Sequence, residues 1–351
     1  MRKVIFLLAV AVLSAMVHDS VQAAQYRVHE LGALPGDGRS VATCINNLGQ
    51  VLGYSHSHDG DDTTGVFLWA GSTGMIDIQV EGRLDRPGGI NDSGLIAGTG
   101  LSLAGAYAVI RGTDGILTEL SQPDGGIGSC GMDINNAGQV VGWSHDGTYY
   151  SAVLWDTNGG VVTLGGGDEL WSRANDINNV GQVVWTREMP DFFYSEQAYR
   201  WDQVNGSIPL ALLDGTSHNA ASNLNDSGWI VGASGNHAVL WTTPGDAVDL
   251  GASGWACGIN NHGQIVGELG GRAVLWNPDG SIAAELDANL GGSDGSGAYA
   301  INDHGWIAGY RLDSYGNQQA VLWEPVPEPS SLIALAGGLG IVGLPFVRRR
   351  K

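Results

Sequence analysis

Between residues 26 and 324 the chain repeats a single alternation of apolar and polar positions. The third copy shows it most fully: Asp133-Ile134-Asn135-Asn136-Ala137-Gly138-Gln139-Val140-Val141-Gly142-Trp143, then Ala152-Val153-Leu154-Trp155. Apolar residues cluster or alternate in short runs, and Gly, Asn, Asp and Ser fill the links, which is the pattern of short strands joined by tight turns. In this copy Gly131–Ile134, Gln139–Ser144, Ser151–Trp155 and Val161–Leu164 are the expected strands. Asn135-Asn136-Ala137-Gly138 reads as a hairpin loop, its glycine placed where φ must be positive. Asp156-Thr157-Asn158-Gly159-Gly160 is a second turn, and Asn277-Pro278-Asp279-Gly280 serves that turn in the sixth copy.

The phrase recurs with its first apolar residue at Ile45, Ile90, Ile134, Ile177, Leu224, Ile259 and Ile301, a mean period of about 43 residues. Four strands in each of seven copies, without helical periodicity, predict an all-β, seven-bladed β-propeller. The Ile-Asn run is placed innermost as strand A, Gly-Gln-Val-Val-Gly as B, Ala-Val-Leu-Trp as C, and the run ending Leu-Gly as D. In this frame the seventh copy lacks strand D, because Trp323 leads directly into Glu324-Pro325. Tyr26-Arg27-Val28-His29-Glu30-Leu31-Gly32 is a spare run of that kind, expected to complete the seventh blade and close the ring, which removes exposed sheet edges. An open β-solenoid is the alternative, with ends that need not meet.

Composition sharpens the picture in two respects. The 351 residues carry 36 acids against 16 Lys and Arg, for a net charge of −20. Six of the bases lie at the two ends, so the repeat body is more acidic than the whole, and nucleic acid and anionic membrane surfaces are poor partners for it. Cys44, Cys130 and Cys257 are an odd count that allows no complete disulfide framework. Each precedes an Ile-Asn phrase, and they are expected to be buried small side chains.

The ends differ from the body. Residues 1–23 read as a secretory signal peptide: Met1-Arg2-Lys3, the apolar run Val4 to Val17, and small residues for cleavage after Ala23. The seven-repeat body is assigned to residues 24–325. Residues 326–351 contain Val326-Pro327-Glu328-Pro329, an apolar run from Leu332 to Val347 broken by glycines, and the tail Arg348-Arg349-Arg350-Lys351. An apolar stretch halted by a basic cluster has the form of a stop-transfer segment, and this one is short for a lasting transmembrane helix.

That C-terminal stretch resembles the PEP-CTERM sorting signal of exopolysaccharide-producing Gram-negative bacteria, with Pro327, Glu328 and Pro329 as the tripeptide. The resemblance implies an exosortase-type processing partner, membrane contact only through this segment, and a destination at the cell surface or in the extracellular matrix. The repeats resemble the HAF repeats of bacterial extracellular proteins, on Asp-Ile-Asn-Asn-x-Gly-Gln-Val-Val-Gly followed by Ala-Val-Leu-Trp. This implies a secreted repeat protein and no particular activity. Arg111 departs from the strand-C Trp in copy two, and Trp185 from the strand-B Gly in copy four.

Candidate chemistry lies where copies differ. The equivalent residues Asn46, Asn91, Asn135, Asn178, Asn225, Asn260 and Asn302 read as hairpin-forming side chains, since a fold of copies needs the same turn in each. Trp69, Trp155, Trp201, Trp241, Trp276 and Trp323 read as packing between blades. The variable B–C and D–A connections share one face of the disc, where loops on a rigid scaffold bind ligands. His56, His58, Asp59, Asp61 and Asp62 form a possible metal loop, with calcium the cofactor considered against none at all. Arg187, Asp191, Phe192, Phe193 and Tyr194 form a possible ligand-binding loop, and Trp171 and Trp255 add aromatic surface to the same face. No nucleophile elbow between a strand and a helix, phosphate loop, zinc-protease motif or redox cysteine pair occurs. The expectation is a non-enzymatic surface or biofilm-matrix protein that binds exopolysaccharide or envelope proteins. The alternative is a carbohydrate-active enzyme using loop-face carboxylates.

Overall fold

The computed structural model describes residues 26–57, 64–79, 84–102, 105–165, 170–189, 196–287 and 295–326. Residues 1–25 and 327–351, with the signal peptide and the sorting tripeptide Pro327, Glu328 and Pro329, lie outside them. The described residues form strands and turns, and none is in a helix long and apolar enough to cross a membrane.

Seven antiparallel four-stranded sheets make up the body from Tyr26 to Pro325. Blade three is typical. Its strands are Gly128–Ile134, Val140–His145, Tyr150–Trp155 and Val161–Gly165, paired in that order. Each expected run of that copy is therefore a strand, with ends shifted by up to three residues. Strand A carries a register shift between Gly131 and Asp133, and the facing Gly142 explains its tolerance. A Cβ at Gly142 would lie 1.9 Å from the Cys130 carbonyl, so the bulged strand needs a bare backbone opposite it.

The seventh blade closes as expected. Ser296–Ile301, Ile307–Leu312 and Gln318–Pro325 come from the last repeat, and Tyr26–Gly32 pairs antiparallel with Gln318–Pro325 as the outer strand. Tyr26 faces Pro325 and Val28 faces Trp323 in this ladder. His29 Nε2 lies 2.8 Å from a Glu324 carboxylate oxygen across it, and Arg311 pairs with Glu30. The open solenoid is excluded.

The core consists of the wedges between blades. Trp155 packs with Ala97, Ala108 and Ile134 across the junction of blades two and three. Trp155, Trp241, Trp276 and Trp323 are fully buried, while Trp69 and Trp201 are partly so and pack against the cores of their own junctions. Three indoles also donate to the preceding blade: Trp155 to Ser121 O, Trp241 to Ala211 O and Trp276 to Leu250 O. A second tie recurs farther out along strand C. The Ala N–H that opens its apolar run donates to a hydroxyl or amide at the start of the next blade: Ala108 to Ser129, Ala152 to Ser172, Ala198 to Asn219, Ala273 to Ser296 and Ala320 to Ser40. The tie from Ala320 to Ser40 spans the seam where the ring closes.

Candidate functional site

The inner strands enclose a central channel, a cavity of about 320 Å3. One mouth is framed by the A–B turns. In each turn the first Asn accepts two backbone N–H groups through Oδ1; for Asn135 these come from Ala137 at 3.1 Å and Gln139 at 3.0 Å. Gly138 completes the turn at φ +88°. The structural role expected of the seven asparagines is therefore correct. Their Nδ2 groups have a role that the repeat pattern does not reveal. Each donates to the main-chain oxygen of its counterpart in the next blade, from Asn46 round to Asn302 and back to Asn46, at 2.9 to 3.1 Å.

A second closed circuit lies beside the first. The N–H of Asn47, Asp92, Asn136, Asn179, Asp226, Asn261 and Asp303 each donates to Oδ1 of the next member, at 2.8 to 2.9 Å. No two of the three carboxylates are neighbours, and amides flank each one. Asn47 and Asn136 donate to Asp92, and Asn179 and Asn261 donate to Asp226. In a ring of seven, strict alternation fails once, and here the like pair is Asn136 with Asn179.

Deeper in the channel the residue before the Ile-Asn phrase varies, giving Cys44, Gly89, Asp133, Asp176, Asn223, Gly258 and Ala300. Asp133 accepts the Ile177 N–H at 3.1 Å and Asp176 accepts the Leu224 N–H at 2.7 Å, each reaching into the next blade. The two carboxyls are hydrogen-bonded to each other, which requires a proton between them. Burial, and then the charge of Asp133, raise Asp176 well above the ordinary carboxylate range. Cys44 and Cys257 depart from expectation: they line this channel and are only partly buried, while Cys130 is buried. All three are free thiols, and desolvation in the channel wall pushes Cys44 and Cys257 up to about 12, which favours the thiol form.

The variable-loop face carries a cleft of about 170 Å3 between blades three and four. Its apolar wall is a run of rings. Trp143 meets Tyr150 edge-on at 4.8 Å, and Tyr150 lies 4.7 Å from Trp171. His145 stacks on Tyr150 at 5.3 Å and lies 6.1 Å from Trp143. The polar wall comes from blade four. Arg173 reaches Glu196 at 3.0 Å and 3.3 Å, one contact to each carboxylate oxygen, and Glu188 and Thr186 complete it. Glu188 and Glu196 face each other directly in the B–C ladder, which sets their Cβ atoms about 5 Å apart.

The residues singled out from sequence fall unevenly about this face. Asp191, Phe192, Phe193 and Tyr194 lie outside the described residues, as do His58, Asp59, Asp61 and Asp62. Arg187 lies between the cleft residues Thr186 and Glu188, and strand alternation points it the other way. Its guanidinium sits 5.7 Å from the Tyr199 ring centroid and donates to the Tyr199 hydroxyl at 3.2 Å. Tyr199 in turn stacks on Trp185 at 4.4 Å, so Arg187 braces the blade and does not face the cleft. His56 stacks on Tyr54. Among the described residues no group of three His, Cys, Asp or Glu is placed to hold a metal ion. Trp171 does contribute aromatic surface, half exposed at the cleft. Trp143, Tyr150 and Arg173 were missed, while Glu188 and Glu196 are acids of the singled-out loop over 187–196. The readable signal for Trp143 was its position after the strand-B glycine, where the copies carry Tyr54, Thr99, Trp143, Ala233, Glu268 and Tyr310.

No protein-family model matches the chain, and no curated protein matches it in sequence. Solved structures share the fold. Virginiamycin B lyase from Staphylococcus aureus matches with TM-score 0.57 at 11% identity, over 86% of this chain and 100% of that one. A streptogramin B lyase matches with TM-score 0.56 at 11% identity, over 86% and 98%. A puromycin hydrolase matches with TM-score 0.56 at 12% identity, over 83% of this chain and 52% of that one. The chain is thus similar in fold to enzymes, and the expectation of a non-enzymatic protein is corrected. The absence of local motifs was no ground for it, because a propeller assembles its loop face from residues of separate copies, which a contiguous motif does not capture. At this identity the likeness extends to the fold, and it assigns no reaction to this chain.

Proposed function

We propose that this protein binds polysaccharide at the cleft between blades three and four, as a secreted protein of the cell surface or extracellular matrix. The observation that carries the binding reading is the wall of Trp143, Tyr150 and Trp171 facing the Arg173–Glu196 pair. Sugar rings offer flat C–H faces that pack on aromatic rings and hydroxyls that bridge charged donors and acceptors, so a site for them needs both walls. The location is supported by the sequence signals at residues 1–23 and 326–351, with an exosortase-type enzyme as the processing partner. Glu188 and Glu196 also supply two facing carboxylates, the residue type that glycoside cleavage uses in pairs, so binding and turnover belong in one experiment.

That experiment is retention of the purified protein on the producer's own exopolysaccharide, with release of shorter glycans followed over time. Retention that is lost in Trp171→Ala supports the reading. Retention unchanged by Trp171→Ala moves the site elsewhere on the disc. If neither retention nor cleavage occurs with any envelope glycan, the proposal fails.

A further inference from the structure

The charges around the cleft narrow the class of glycan, on the reading that it is a glycan site. Among the described residues its lining holds one cation, Arg173, which Glu196 already engages through both carboxylate oxygens. Glu188 stands directly opposite Glu196 in the ladder. Two like charges placed face to face on adjacent strands are unfavourable unless something positive lies between or beside them, and one arginine leaves an excess negative charge. The surroundings add to it, since the chain carries a net charge of −20. Polyuronates and sulfated glycans would bring further negative charge into that field.

We infer that the cleft is selective for glycans bearing free amino groups, with Glu188 and Glu196 as the residues that set the preference. A glucosamine unit stacked on Trp171 and Tyr150 brings an ammonium group to the carboxylate wall. The same group gains from proximity to the ring faces, since a cation is attracted to the negative face of an indole or phenol. N-acetylation removes the charge and keeps the sugar ring. The acetylated and free forms therefore separate this inference from the broader reading, which needs ring stacking and hydroxyl contacts but no ammonium group.

The test is calorimetric titration of the full chain with three probes: a β-1,4-linked glucosamine hexamer, its fully N-acetylated form, and a galacturonate hexamer. The free amine should bind most tightly, the acetylated form more weakly, and the uronate least. Glu188→Gln should weaken the glucosamine hexamer by about fivefold, the worth of one partly exposed ion pair, and should weaken the acetylated hexamer, which carries no ammonium group, by less. Raising the salt should narrow the gap between the two, since exposed charges are screened. Equal or tighter binding of the acetylated or uronate hexamer overturns the amino-sugar inference and leaves the glycan site standing. Binding of the glucosamine hexamer that survives both Trp171→Ala and Glu188→Gln overturns it as well, because the attraction would then come from the acidic surface at large. If none of the three binds, the amino-sugar inference falls, and the underlying reading falls with it only if the producer's own exopolysaccharide is not retained either.

Discussion

Asp133 and Asp176, from neighbouring blades, hydrogen-bond to each other inside the channel, and each also accepts a backbone N–H from the blade that follows its own. The pair thus ties blades three, four and five at one point, and it holds a proton to do so.

The first prediction follows from that proton. Burial raises both carboxyls in the folded state, so above the ordinary aspartate range the folded protein keeps protons there that the unfolded chain has released. The contribution to stability is therefore full below the ordinary aspartate range and is lost as pH rises through the raised folded value. Thermal unfolding measured from pH 5 to pH 9 should show stability falling with pH from this source. Asp176→Asn keeps an acceptor for Leu224 and offers an N–H to Asp133, in imitation of the protonated acid. The variant should flatten the alkaline side of the profile, and an unchanged slope would remove the pair as its cause.

The second prediction concerns the turn asparagines. Asn135→Ala leaves the Ala137 and Gln139 N–H groups and the Asn178 carbonyl without their side-chain partner. The cost should be about 2 to 4 kcal/mol, as for a small buried hydrogen-bond network. Denaturant titration gives the number. A loss under about 0.5 kcal/mol, the range of ordinary surface changes, would mean that water replaces the circuit at little cost.

Ring closure supplies the third. Deletion of Tyr26–Gly32 strips the outer strand from blade seven and exposes the edge of Gln318–Pro325. A sharp fall in melting temperature with self-association on a sizing column is expected. Loss of a merely fraying end would leave both unchanged.

The fourth tests the close approach at the bulge. Gly142→Ala places a methyl group 1.9 Å from the Cys130 carbonyl. Strands A and B of blade three have to part, at a cost of roughly 1 to 3 kcal/mol or more. The same change at Gly245, where a Cβ would meet nothing within 4 Å, is the control and should be near neutral.

The repeat unit was legible because its physics is local. Alternation of apolar residues sets each strand, Asn and Gly set each turn, and copy number with a spare Tyr26–Gly32 run sets closure. The cleft was not legible in that way. Trp143 and Tyr150 belong to copy three, Trp171 lies in the connection between copies, and Glu188 and Glu196 belong to copy four, so only the wedge between two sheets makes them neighbours. Arg187 misled because sequence adjacency to acids and aromatics says nothing of which face of a strand a side chain takes; its partner proved to be Tyr199. Asp133 and Asp176 lie 43 positions apart in equivalent places, where the repeat suggested a turn-forming phrase and gave no hint of a shared proton.

The way the last blade is built also determines how the molecule carries load. Gln318–Pro325 lies between Ile307–Leu312 on one side and Tyr26–Gly32 on the other, with hydrogen-bonded ladders along both edges. A pull on the chain beyond Pro325, directed along that strand, must shear two ladders at once. A pull that separates Tyr26 from Pro325 meets only the outer ladder, and opens it one pair at a time from its open end. The disc is therefore mechanically anisotropic: stiff when tethered through its C-terminal strand alone, and compliant when its two ends are drawn apart.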